Sequence, residues 1–268
     1  MKWDWIYLLV LNYRGLKKLR HHFFYWSFLA KRLRDQGLAP GWVALQWALR
    51  RGLGWHKPLW LALKGGAWAR LAEERDWRDF KWWLLETELY RPVQTRDPLL
   101  VWVGPRYGLP VLPYFLDYPT AKMVALEPAG AHRAALEEFI EANGMDMQVL
   151  PYALDTEAGS GLLHRVAVKG GAQYRLDAMR SQSFQQVETC TLEWLKRQLV
   201  EPMDLLYLNV PGREEALLGQ VDAALARHIR RLCVKVDTPL VNRARLQRWG
   251  EDLGYQVKGV GDYLFWEG

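Results

Sequence analysis

The chain has 268 residues, half of them hydrophobic, with a formal charge of +6 and a pI near 9.3. That length and apolar content suit one large domain, or one domain with an appended piece. The basic balance alone fits nucleic acid, an anionic membrane surface or an acidic substrate equally well. No apolar run approaches the roughly 18–20 residues of a membrane-spanning helix. The longest near the start, Ile6 to Leu11, lacks the basic leader and cleavage site of a signal peptide. Cys190 and Cys233 stand in no metal-type spacing and are expected as buried free thiols in a reducing compartment. The expected location is cytoplasmic, with peripheral contact to a membrane left open by the composition of the first segment.

Residues 1–56 form a basic, Trp-rich region expected to be mainly helical. It holds ten Lys/Arg against Asp4 and Asp35, and 11 of the 15 tryptophans precede residue 96. Tyr13 to Arg34 mixes aromatic and basic residues. Trp42, Leu45 and Leu49 make a helical stripe after the Gly37–Gly41 break. One reading is a helical cap whose stripe packs on the main domain. Another is a surface for a membrane interface, where indoles and cations are at home, or for a protein partner. Nucleic-acid binding is not expected, because no motif supports it. His21 and His22 are adjacent and so point apart, which makes a metal pair implausible, and no metal site is expected.

Residues 57–97 form a lead-in segment. Leu59, Leu61 and Leu63, then Lys64-Gly-Gly66, then Trp68 to Leu71 predict a β-hairpin. Asp76 is the expected cap of a helix reaching about Tyr90, with Phe80, Trp83, Leu84 and Thr87 on one side.

From residue 98 strands and helices alternate. Leu99 to Val103 reads as a strand, followed by a helix disturbed by Pro110 and Pro113. Lys122 to Leu126 is a strand ending at Glu127-Pro128. Gly130 to Asn143 is a helix with Ala131, Ala135, Phe139 and Ala142 on one side, stopped by Gly144. Met147 to Leu150 is a strand, and Leu162 to Val168 with Ala172 to Leu176 form a hairpin or insertion. Thr191 to Gln198 is a helix, Leu205 to Val210 a strand, Arg213 to His228 a helix and Arg231 to Val236 a strand. Arg243 to Leu253 is a helix stopped by Gly254. Gln256 to Val260 and Tyr263 to Trp266 close the chain as strands. This alternation predicts an α/β fold over residues 98–268: a mostly parallel, Rossmann-like sheet with a late antiparallel hairpin, preceded by the helical N-terminal region.

In such a sheet the turn after the first strand takes a cofactor's polar tail, and an acid ending the second strand takes ribose hydroxyls. Here Gly104 and Gly108 make the turn. Glu127 lies 19 residues beyond Gly108, close to the roughly 20 expected. His132, His164 and His228 are isolated and expected at the surface.

The arrangement over about residues 58–260 resembles the FkbM-type methyltransferases, a branch of the S-adenosylmethionine-dependent Rossmann-like enzymes. Val101-Trp-Val-Gly-Pro-Arg-Tyr-Gly108 looks like the family's Val-Asp-Val-Gly-Ala-Asn-Ile-Gly. Val124-Ala-Leu-Glu-Pro128 looks like its second strand. Glu141-Ala-Asn-Gly144 with Val149 to Asp155 resembles the region bordering adenine. Leu205-Leu-Tyr-Leu-Asn-Val-Pro-Gly212 with Glu214 looks like Leu-Leu-Lys-Ile-Asp-Val-Glu-Gly-x-Glu. The resemblance implies cofactor contacts at Gly104, Arg106, Gly108, Glu127, Pro128 and Asp155, and a site residue at Asn209 near the transfer point. The departures fall on that chemistry. Trp102 occupies the place of the first acid and cannot accept a hydrogen bond from the cofactor's ammonium. Pro105 removes a backbone N–H. Arg106 replaces Asn but can still hold a carboxylate. Asn209 and Pro211 replace Asp and Glu, and Asn209 cannot act as a general base.

Two functions follow. The resemblance implies S-adenosylmethionine-dependent O-methyl transfer to a sugar or secondary-metabolite hydroxyl, with a small molecule or glycan as acceptor. The departures instead point to a non-catalytic pseudo-methyltransferase, a scaffold docking through residues 1–56. A Trp102 ring in the tail channel would favour the second; a ring turned into the sheet would leave the first open.

Overall fold

Alternating apolar strands and Gly-stopped helices assemble into a seven-stranded sheet, seen in a computed structural model that describes residues 27–53, 58–85, 89–168, 171–176, 183–236 and 241–268. The readings for residues 1–26 and Thr87 fall outside these. Residues 27–35 are helical, followed by α1 (Pro40–Leu53). Strands β1 (Leu59–Ala62) and β2 (Trp68–Leu71) pair antiparallel, as the Gly65-Gly66 turn predicts. Helix α2 (Glu74–Phe80) continues into a π turn over Lys81–Leu85. Asp76 caps this helix from inside its first turn, not from in front: its Oδ2 accepts from the N–H groups of Glu73 (2.6 Å) and Ala72 (2.8 Å).

The sheet contains β3 (Leu99–Val103), β4 (Lys122–Leu126), β5 (Met147–Leu150), β10 (Leu205–Leu208), β11 (Arg231–Lys235), β12 (Gln256–Val260) and β13 (Tyr263–Glu267), in the order β12-β13-β11-β10-β3-β4-β5. Five neighbouring strands are parallel and β13 alone runs against them. This is the expected Rossmann-like, mostly parallel sheet, with the late antiparallel hairpin in place. Helices α3 (Leu112–Asp117) and α4 (Gly130–Asn143) follow β3 and β4. Helices α5 (Leu192–Leu199), α6 (Glu214–Leu218), α7 (Ala223–Ala226) and α8 (Arg243–Asp252) belong to the second half.

A second sheet, ordered β6-β9-β7-β8, is built from β6 (Tyr152–Leu154), β7 (Gly159–Val168), β8 (Gly171–Leu176) and β9 (Phe184–Cys190). The β7–β8 hairpin matches the expectation; β6 and β9 have no counterpart in the sequence reading.

Three helices differ from expectation, two in the face they bury and one in being broken. In α1, Trp42 and Leu45 are 59% and 48% exposed while Val43 is buried, so the predicted stripe points outward. In α4 the buried side is His132, Ala135, Leu136 and Phe139, whereas Ala131 and Ala142 are exposed. The large Phe and Leu side chains orient the helix, and its alanines do not. The long helix predicted over Arg213 to His228 is two short ones, because the chain turns at Gly219 and restarts at Asp222, whose Oδ1 accepts from the N–H groups of Ala224 and Leu225.

Both cysteines are buried and free. Burial lifts the Cys190 thiol to about 12 and raises Cys233 further, so both stay protonated and unreactive. No helix among the described residues is long and apolar enough to cross a membrane.

Candidate functional site

After β3 the chain builds β4 and β5 on one side, then returns to β10 on the other. Such a reversal opens a crevice beyond the carboxyl ends of the strands. The turn after β3 and the end of β10 meet here in close contact. The Asn209 N–H donates to the Val103 carbonyl (2.9 Å), and Asn209 Nδ2 donates to the Gly104 carbonyl (2.9 Å). Gly104 has φ +68°, and a Cβ there would run into the Asn209 carbonyl oxygen. Only glycine serves at this position. Asn209 Oδ1 is buried and accepts no hydrogen bond.

Glu127 ends β4, is buried, and lines the same cleft with Pro128. Its Oε2 accepts from the Arg106 N–H (3.0 Å) and its Oε1 from the Ala129 N–H (3.2 Å). His132 Nδ1 stands 3.6 Å from Oε1. An ionised carboxylate has about four lone-pair sites, so capacity for ribose hydroxyls remains.

Arg106 adopts a left-handed φ of +57°, which is strained for a side-chain-bearing residue. Its guanidinium turns to the lead-in segment. Nη2 donates to Glu73 Oε2 (2.7 Å) and Nη1 to Asp76 Oδ1 (3.2 Å), and its carbon lies 4.8 Å from the Tyr107 ring centre. Burial alone would lower the guanidinium pKa, but Asp76 and Glu73 hold it above its usual value. Burial pushes the Asp76 carboxyl up, against the pull of Arg106. Asp79, one turn further along α2, pairs with Lys235 at the end of β11, 3.2 Å from both oxygens. Burial opposes its ionisation, yet Lys235 and the nearby arginines outweigh it and hold Asp79 below the usual carboxylate range. One face of a short helix thus sends two acids into the base of the turn.

The cleft walls also include Arg75, Ala153, Leu154, Leu163, Gln173, Tyr174, Leu176 and Arg213. His132 sits edge-on between Tyr107 (4.9 Å) and Tyr174 (4.8 Å). The cleft volume is about 60 Å³, well below the roughly 300 Å³ at which ordinary ligand pockets begin. The structure therefore brings Gly104, Arg106, Glu127, Pro128 and Asn209 together, and leaves Gly108 and Asp155 outside the lining. Gly108 (φ +87°) instead lets Phe139 of α4 approach the turn. Asp155 accepts from the Thr156 N–H (2.8 Å) and from Arg213 (3.2 Å). His132 and His164 are buried, against the surface placement expected for them, because aromatic rings cover both. Sequence reasoning missed Arg75, Gln173 and Tyr174; they come from the lead-in helix and the β7–β8 insertion, where no motif marks them. Trp102 is fully buried under α3, edge-on to Tyr114 at 6.0 Å, and does not line the cleft.

No protein-family profile and no curated protein matches the chain. Solved structures do. The methyltransferase FkbM from Methylobacillus flagellatus KT is 11% identical with a TM-score of 0.45, over 70% of this chain and 47% of that one. Precorrin-6y C5,15-methyltransferase from Geobacter metallireducens GS-15 is 11% identical with a TM-score of 0.38, over 65% and 82%. Aeropyrum pernix fibrillarin in complex with S-adenosyl-L-methionine is 14% identical with a TM-score of 0.40, over 79% and 94%.

The residues present fit S-adenosylmethionine at one end of the cleft only. Glu127 suits a ribose. At the tail end, Pro105 has no N–H, the N–H groups of Gly104, Arg106 and Gly108 are bonded to Leu126, Glu127 and Pro105, and the Arg106 guanidinium is committed to Glu73 and Asp76. These groups therefore offer nothing to the amino-acid tail of the cofactor.

Proposed function

We propose that this chain is a non-catalytic pseudo-methyltransferase, a scaffold of the Rossmann-like methyltransferase fold that docks on a partner through its N-terminal region. One observation carries the reading: Arg106 is clamped by Glu73 and Asp76 from the lead-in helix. The only cation offered by the glycine turn is thereby neutralised by the chain's own acids. Releasing it would take the guanidinium from the buried Asp76 carboxylate, at a cost of about 3–5 kcal/mol. Isothermal titration of the folded full chain with S-adenosylhomocysteine tests this. No saturable heat is expected; saturable one-to-one binding overturns the reading.

A second reading keeps S-adenosylmethionine-dependent O-methyl transfer to a sugar or secondary-metabolite hydroxyl. It is favoured by Glu127 and Pro128 facing the cleft, and the burial of Trp102 away from the cleft leaves it open. If this reading holds, Glu127→Gln weakens S-adenosylhomocysteine binding by about tenfold or more, the weight of a charge-assisted hydrogen bond.

A further inference from the structure

We propose that the outer face of residues 27–46, together with the Lys64 turn of the β1–β2 hairpin, docks on an anionic lipid surface. The inference rests on the scaffold reading only in taking the N-terminal region as the docking element, and it needs nothing of the cleft.

A helix laid against a core by one face normally carries polar residues on the other. Here the inner residues Leu29, Leu33, Leu38 and Val43 are buried with Leu61 and Leu63 of the hairpin. The outer side still carries large apolar groups: Phe28 is 42% exposed, Trp42 59% and Leu45 48%. Four of the seven large exposed hydrophobics among the described residues, Trp68 included, lie between positions 28 and 68. Scattered single residues of this kind need no explanation, whereas a concentration of them does.

Cations accompany them. Lys31, Arg34 and Lys64 are exposed, and Arg32 lies over the Phe28 ring at 5.3 Å. Asp35 is the one acid between residues 27 and 46. The Lys64 N–H donates to the Gln36 carbonyl (2.8 Å), which brings the hairpin turn against the end of the 27–35 helix. Trp42 and Leu45 are three residues apart and so share a side of α1.

Exposed indole and leucine side chains alone would suit a protein groove as well as a lipid. The exposed lysines and arginines of the same segment decide between them, because they complement a layer of acidic headgroups while the apolar groups enter the acyl boundary. No helix among the described residues is long and apolar enough to cross a bilayer.

Flotation of the full chain with vesicles tests the proposal. Binding to phosphatidylcholine–phosphatidylserine vesicles is expected to exceed binding to pure phosphatidylcholine by about tenfold or more, and to fall with added salt. Trp42→Ser with Leu45→Gln should weaken it by about tenfold or more, with melting temperature and oligomeric state unchanged. Lys31→Glu with Arg34→Glu should weaken it similarly. Absent binding, equal binding to both vesicles, or retained binding by the Trp42/Leu45 variant overturns the proposal. A lowered melting temperature or a smaller oligomer for that variant also overturns it, since the face would then be covered by this chain or by a second copy.

Discussion

One face of the central sheet is packed mainly with aliphatic side chains, with Trp266 and Tyr255 among them, while the other carries more aromatic rings and the Asp79–Lys235 pair. The strand period of two sorts them. Val101, Val103, Leu206, Leu208, Leu232 and Val234 point to the face covered by α5 to α8. Trp102, Tyr207, Tyr263 and Phe265 point to the other, where Phe80, Trp83 and the lead-in segment pack. Both the Asp79–Lys235 pair and the Arg106 clamp join that lead-in segment to the sheet, and Trp102 Nε1 is buried there without a hydrogen-bond partner. The aliphatic face is what any protein of this architecture needs. The aromatic face mates the sheet to the lead-in segment, and each face holds a buried indole N–H without a partner, Trp102 Nε1 here and Trp266 Nε1 on the other.

The sharpest way to break this contrast is at the buried ion pair. Asp79→Ala removes the carboxylate that Lys235, 2% exposed, meets at 3.2 Å through both oxygens, and should cost about 3–5 kcal/mol in chemical denaturation. Replacing both residues by apolar ones of similar volume should recover most of that loss. A loss under about 1 kcal/mol for Asp79→Ala would mean that the pair does not anchor the segment. The pair also sets an acid limit. The Asp79 pKa lies below its ordinary 3.8 in the folded chain, so its stabilisation is full above that value and is lost as pH falls below it. The wild-type stability curve should therefore drop more steeply below about pH 4 than that of Asp79→Asn.

Next come the two faces themselves. Trp102→Ala should cost about 3–5 kcal/mol and Leu206→Ala about 2–5 kcal/mol, since both side chains are fully buried. Trp102→Asp, which restores the acid of the resembling family, should destabilise more than Trp102→Ala, because it adds an unpaired buried carboxyl. Equal stabilities of these two variants would show that water reaches position 102. The smallest effect is on the aliphatic side. Thr191→Ala removes the hydroxyl that accepts from the Trp194 N–H at 3.1 Å and should cost about 1 kcal/mol.

What was legible in the sequence follows the same division. Helix α4 begins and ends where Gly130 and the Asn143-Gly144 stop place it, with Gly144 at φ +61°. The parallel strands and the closing hairpin were equally plain, because each is marked by local alternation and local stops. The second sheet was not, since β6 has three residues and finds its parallel partner β9 more than thirty positions away. The outward turn of Trp42 was hidden because Val43, the smaller residue, takes the core. At the site, Gly104, Glu127 and Asn209 stand at strand ends where spacing points to them. The partners of Arg106 lie 30 and 33 residues earlier on a helix of their own, and no spacing rule connects a turn to acids brought in by tertiary packing.

Arg106 binds three carboxylates at once: Glu127 through its N–H, Asp76 and Glu73 through its side chain. The lead-in helix, the glycine turn and the end of β4 are thus coupled through a single residue. They should open together as one cooperative unit, with the amides of Gly104 and Asp76 exchanging hydrogen at matching rates.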